Sequence, residues 1–128
     1  MTDFFLIAAP PEPSRDELLK PLGYMLGSID WDQTAQLGEI LTGQLWTSDE
    51  LEWAEPEGET QMGKVPARFT EALAAIRDEQ LLDFAEAWRV RLGAGFFQDS
   101  LARDVDGLRS EAQKALKLDG ALWLRIEL

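Results

Sequence analysis

The chain contains no cysteine and no histidine. Without cysteine there is no disulfide framework and no thiolate to hold a metal. Without histidine, the side chain most used as a base near neutral pH and as a metal ligand is gone. No Ser-His-Asp or Cys-His device can therefore be assembled from this chain alone. Carboxylate, lysine, tyrosine and serine chemistry stay open. Long apolar runs are missing too, since nothing approaches the roughly 20 consecutive residues of a membrane helix. The opening MTDFFLIAAPPEPS puts an acid before its apolar run and has no basic leader, so it reads as a strand and not as a signal peptide. The expectation is a cytoplasmic protein without cofactor or metal.

Positive charge is scarce as well. Lys and Arg number 12 against 24 Asp and Glu, a formal net charge of −12. Arg15 and Lys20 are the only bases in residues 1–60, so the excess is concentrated in the first half. Affinity for nucleic acid comes largely from cations on phosphates, and anionic membranes select the same sign. The expected partners therefore exclude nucleic acid and membrane, and a basic protein is the class this charge favours. With 128 residues, 45% of them hydrophobic, the chain suits one domain over residues 1–128 around one core.

The apolar pattern predicts the elements. DFFLIAA (Asp3–Ala9) is short, continuous and closed by Pro10-Pro11, as in a strand covered on both faces. Ser14 and Glu17 have the spacing of a capping box, with a short helix to follow that stops near Pro21. Asp30 caps a helix over Ile29 to Leu41, and Gly43 ends it. Two turns of helix around Asp49–Glu52 are compatible with Thr47 or Ser48 as the cap. Pro66 opens a helix carrying Phe69, Leu73 and Ile76, and Asp78 caps the next, carrying Leu81, Ala85, Trp88 and Leu92. Gly95-Phe96-Phe97 reads as a connection pinned to the core by both rings. The last helix is expected from about Arg103 to Leu118, with Val105, Leu108, Ala112 and Ala115 inward. After Asp119-Gly120, ALWLRIEL alternates as a strand. Leu122, Leu124, Ile126 and Leu128 share one face, and Ala121, Trp123, Arg125 and Glu127 share a partly wet one. Strands at both ends with helices between predict an α+β fold whose termini meet in one sheet.

ILTG (Ile40–Gly43), KVPARFTEALAAI (Lys64–Ile76) and GALWLRIEL (Gly120–Leu128) together resemble the YfbM-like family of uncharacterised bacterial proteins. That family has an apolar helix ending L-L-T-G, a G-P-A-R-[YF] stretch opening a later helix, and a closing helix leading into a strand. Leu41-Thr42-Gly43 and Pro66-Ala67-Arg68-Phe69 carry the match, which spans residues 29–128. Val65 replaces the family's glycine, and GAGFF stands where the family has an aromatic-proline motif. The resemblance implies an α+β fold and no particular activity.

Few side chains invite chemistry. Asp30 and Asp32, with Trp31 between them and Glu39 on nearly the same helical face, offer carboxylates of the kind a glycosidase divides into acid and base. The same acids suit an N-cap and a first helical turn. Asp104-Val105-Asp106-Gly107 begins like a calcium loop, but Leu108 stands where a third oxygen ligand is needed, so helix capping is the better account. Arg68 can hold an anion or a carboxylate of its own domain. Gly93-Ala94-Gly95 lacks the length and the Lys-Ser/Thr of a phosphate loop.

The most unusual stretch is WTSDELEWAEPEGETQMG, Trp46 to Gly63, with six carboxylates, no base and two tryptophans. As a solvated loop it would only keep the protein soluble. Tryptophan is costly to leave in water and enriched where partners bind, though it can also anchor a loop to its own core. The expected partner-binding face is Trp46, Asp49, Glu50, Glu52, Trp53, Glu55, Glu57 and Glu59, with no catalytic residue. The function expected is a non-catalytic acidic domain, of the immunity-protein or antitoxin kind, that covers a basic protein. A carboxylate-dependent hydrolase of a small molecule or sugar and a housekeeping accessory protein are the alternatives.

Overall fold

DFFLIAA forms β1 over Asp3–Ala9, and its second half, Leu6 to Ala9, is buried. The computed structural model describes residues 3–19, 23–26, 29–54 and 60–127. Within it β1 pairs along its whole length with the last strand, β5 (Ala121–Glu127), from Asp3 opposite Glu127 to Ala9 opposite Ala121. The two terminal strands do share a sheet. β2 (Tyr24–Met25), β3 (Glu52–Trp53) and β4 (Thr60–Lys64) complete it, antiparallel throughout, in the order β2-β1-β5-β4-β3. The fold is α+β.

Side-chain alternation along the strands gives this sheet two different faces. Leu6, Ala8, Leu122 and Leu124 join the main core under four helices: α2 (Trp31–Thr42), α3 (Ala67–Ala74), α4 (Leu81–Leu92) and α5 (Gln98–Lys117). On the reverse face Ala9, Met62 and Trp123 pack with Leu18 of α1 (Arg15–Leu19). Burying each Leu, Val or Phe of the main core stabilises the fold by about 1.5–3 kcal/mol. Phe69, Leu73, Trp88, Val105 and Leu108 are fully buried as their spacing requires.

The caps are local and follow the sequence. The Ser14 hydroxyl accepts from Glu17 N–H and the Glu17 carboxylate accepts from Ser14 N–H. Asp30 and Gln33 form a second reciprocal box, and Gly43 ends α2 in the left-handed region at φ 78°. Pro21, where the first helix was expected to stop, lies outside the described residues.

Several expectations are corrected. The last helix starts at Gln98, five residues before Arg103, because Leu101 is also buried and extends the apolar stripe by one turn. Asp104 and Asp106 are therefore in mid-helix and cap nothing. Asp104 accepts from Tyr24 Oη at 2.6 Å, and Asp106 pairs with Arg109. Asp78 lies inside a 3₁₀ turn, where the preceding Arg77 N–H is capped by the Gln80 side chain; Asp78 itself pairs with Arg109 at 2.8 Å. Only Phe96 of the GFF connection touches the core, while Phe97 is 70% exposed.

Arg125 departs furthest from its pattern. Alternation puts it on the partly wet face, yet it is 3% exposed. Its Nη1 donates to the carbonyls of Leu18 and Leu19, its guanidinium lies 4.7 Å from the Phe5 ring centroid, and its Nε is 3.1 Å from the Glu127 carboxylate. Those carbonyls end a five-residue helix and have no intrahelical donors. The buried cation thus closes α1 onto the sheet.

Candidate partner-binding face

The acidic stretch is anchored at its root by an aromatic cluster. The Trp46 ring stacks on Phe69 of α3, centroids 5.8 Å apart and planes 6° from parallel. Trp31 of α2 leans on the same ring and donates its indole N–H to the Trp46 carbonyl at 3.0 Å. Trp46 is 6% exposed and belongs to the core. It fixes the stretch and offers no contact surface, which removes it from the expected face.

From Thr47 the chain makes one 3₁₀ turn, Ser48–Glu50, without a side-chain cap, and then extends. The expected helix around Asp49–Glu52 stops there because Leu51 turns into the core and Glu52 enters β3 opposite Lys64. Glu50 and Trp53 consequently share no helical face. Trp53 clasps the turn from the strand: its indole N–H donates to the Ser48 carbonyl at 2.7 Å. Its ring rests on Gly63, where a Cβ would come within 3.0 Å of it. At 37% exposure it is anchored and still presents a flank to solvent.

Asp49, Glu50 and Glu52 are exposed, and among the described residues none of them forms an ion pair. Glu55, Glu57 and Glu59 lie outside the described residues. Sequence reasoning missed β4 and with it Lys64, the one base in register with this edge. The weak signal for β4 was the alternation around Met62.

The other candidates resolve into structural roles. Asp30 caps α2. Asp32 and Glu39 line one cleft of about 400 Å³, in which Arg91 is ion-paired to Glu39. Arg68 donates to the Thr42 carbonyl at the end of α2, so its partner is a helix terminus and not a carboxylate. Gly93 ends α4. Among the described residues no cluster of acids could hold a metal ion, and no helix is long and apolar enough to cross a membrane.

The most perturbed titrating pair is elsewhere, where β2 meets α5. Burial is the main cause raising the Tyr24 hydroxyl well above the usual tyrosine range, with the bond to Asp104 adding to it. Burial likewise raises the Asp104 carboxyl, while Tyr24 and Arg103 oppose the shift. On the reverse face the Trp123 indole N–H is shielded from water without an acceptor among the described residues. Such an omission costs about 1–3 kcal/mol.

Comparison with family models, with curated proteins and with solved structures returns no match.

Proposed function

We propose that this chain is a non-catalytic acidic protein-binding domain that covers a cationic surface of a partner, in the manner of an immunity protein or antitoxin. The observation that supports this reading is that acids without an internal partner are clustered on one anchored segment. Glu39, Asp78, Glu86, Asp106, Glu111 and Glu127 are ion-paired within the domain. Asp49, Glu50 and Glu52 are left in water on a segment anchored by Trp46 and Trp53. Repulsion among unpaired like charges is tolerated most readily where something outside the chain answers it. Charge complementarity then speeds association and selects the partner, and the Trp53 flank adds an apolar contact. A cytoplasmic setting and kinship with the YfbM-like family belong to the same proposal.

The test is capture of partners from native lysate, followed by association kinetics across a salt series. Asp49→Asn/Glu50→Gln/Glu52→Gln should bind a captured cationic protein roughly tenfold more slowly at low salt and lose much of the salt dependence. Equal rates for parent and variant would defeat the reading.

A second reading rests on Asp32 and Glu39 lining one cleft: a carboxylate-dependent hydrolase of a small molecule or sugar. Because Arg91 engages Glu39, Asp32 would have to carry that chemistry. Turnover of a chromogenic glycoside or ester that vanishes in Asp32→Asn would favour it. If both tests fail, an accessory housekeeping role is what remains.

A further inference from the structure

Among the described residues, the three most exposed large apolar side chains are Phe97 at 70%, Val90 at 66% and Leu82 at 53%. They lie on one side of the molecule. Leu82, Glu86 and Val90 follow one another at spacings of four and form a single stripe of α4, with Arg89 at its flank. Ala85 and Trp88 point the other way, into the core. Gln98 Nε2 donates to the Leu82 carbonyl at 3.2 Å, which brings the start of α5, and with it Phe97, beside the stripe. A single exposed apolar residue is ordinary, but a group of them on one face marks a contact surface.

The charges on this helix select what covers the face. In a chain of net charge −12, α4 is neutral. Its acids, Asp83 and Glu86, stand in the first half, and its bases, Arg89 and Arg91, in the second. Glu86 and Arg89 pair with each other, and Arg91 holds Glu39 of α2. Residues 87–98 contain no acid at all. A partner of one sign would match one half of α4 and oppose the other half. A second α4 laid antiparallel matches both, because each acidic half then meets a basic half.

We propose that this face binds a second copy of the chain in a symmetric dimer. A two-fold axis between Glu86 and Arg89 sets Glu86 of each copy against Arg89 of the other, so the internal pairs become a closed ring of alternating charge. The same axis brings Val90 of each copy between Leu82 and Glu86 of the other, and the Phe97 rings close the two ends. Here two strongly acidic chains can touch without placing like charges together. The dimer goes beyond the partner-binding reading and does not depend on it. Asp49, Glu50 and Glu52 belong to β3 and the turn before it, away from α4 in the fold.

Sedimentation equilibrium of the full chain, from about 10 μM to about 1 mM, is the experiment. Three helical turns and one ring fall short of the roughly 800 Å² per partner of a standard interface, so a dissociation constant on the order of 100 μM is expected. Val90→Glu sets an acid against Glu86 of the other copy and should weaken the dimer about tenfold or more, while melting like the parent. Arg89→Glu and Glu86→Arg should each weaken it similarly when alone. Mixed together, those two chains should form a one-to-one dimer, because only the mixture restores opposite charges across the axis. A chain that stays monomeric at about 1 mM overturns the proposal and leaves the face to another protein or to none. So does a dimer that survives Val90→Glu, or a mixture of the two charge variants that stays monomeric. Loss of the dimer in Asp49→Asn/Glu50→Gln/Glu52→Gln would also overturn it, by moving the contact to the acidic edge.

Discussion

Each edge of the sheet ends in a strand of two residues with an aromatic ring laid on a glycine, Tyr24 on Gly107 at β2 and Trp53 on Gly63 at β3. At β2 the ring is driven against a helix: its hydroxyl donates to Asp104 of α5 at 2.6 Å, and a Cβ on Gly107 would come within 2.0 Å of the ring. Beyond the end of β2, the free Ala8 N–H of β1 is answered by Glu111 of the same helix at 3.1 Å. At β3 the ring lies on the sheet itself and is bonded to the nearby Ser48, and Asp49, Glu50 and Glu52 beside it are exposed to water. An open strand edge invites unwanted pairing, and proteins cover it or charge it. This fold covers one edge with a helix and charges the other. Acids at the covered edge are spent on internal bonds, whereas acids at the charged edge remain available to a partner.

The largest effects should come from the covered edge. Gly107→Ala adds helix propensity, yet its methyl group must push the Tyr24 ring out of its seat, and overpacking of this kind costs about 1–3 kcal/mol. Gly63→Ala meets Trp53 at 3.0 Å, and that ring has solvent to move into, so well under about 1 kcal/mol is expected. Thermal melts of both variants would separate the two edges. Tyr24→Ala/Gly107→Ala should cost less than the sum of its single changes, because the clash has gone. Strict additivity would show that the ring and the glycine are not coupled.

Next in size is Tyr24→Phe, which leaves the half-buried Asp104 carboxylate without its donor and should cost about 1–2 kcal/mol. The corresponding loss at Trp53, Trp53→Phe, removes an exposed bond and should cost about 0.5 kcal/mol. Chemical denaturation that ranks these two the other way would invert the comparison.

Asp104 also predicts a pH dependence. Its folded pKa is raised, chiefly by burial, so the folded state holds this proton more tightly than the unfolded chain. The stability it contributes is complete below the ordinary carboxylate range and is lost as pH rises through the raised value. Asp104→Asn keeps an acceptor for the Tyr24 hydroxyl without the charge. It should melt at or above the parent at neutral pH, with the gap narrowing in acid. A gap that widens in acid would contradict burial as the main cause. The chain has one tyrosine, so tyrosinate absorbance reports Tyr24 alone and should appear only as the protein unfolds in alkali.

What the sequence reveals follows the range of the forces involved. β1, the caps at Ser14, Asp30 and Gly43, and the buried stripes of α3 and α4 depend on neighbours a few residues away, and all are legible. β4 is not, because TQMGK buries only Met62 and Gly63 and becomes a strand by pairing with β5. Arg125 misleads because the helix that covers it is distant in sequence. At the candidate face, the exposure of Asp49, Glu50 and Glu52 could be read from their composition. Trp46 and Trp53, alike in sequence context, part company only because Phe69 waits beneath one and Gly63 beneath the other.

The smallest expected effect is the most informative about the charged edge. Asp49→Asn/Glu50→Gln/Glu52→Gln removes acids that form no ion pair among the described residues. Glu52 faces Lys64 across the strands, and losing that attraction costs about 0.2–1 kcal/mol. Asp49 and Glu50 repel their neighbours in a chain of net charge −12, and neutralising them returns a similar amount. The two changes oppose each other, so the net should fall within about 0.5 kcal/mol of the parent. Salt resolves what the net value conceals. Added salt screens the repulsion and should raise the parent's melting temperature more than the variant's. Glu52→Gln alone should move the other way, slightly below the parent at low salt and level with it at high salt. Should the triple variant melt well below the parent at every salt concentration, these acids would be internal partners like Asp104, and the two edges would be alike.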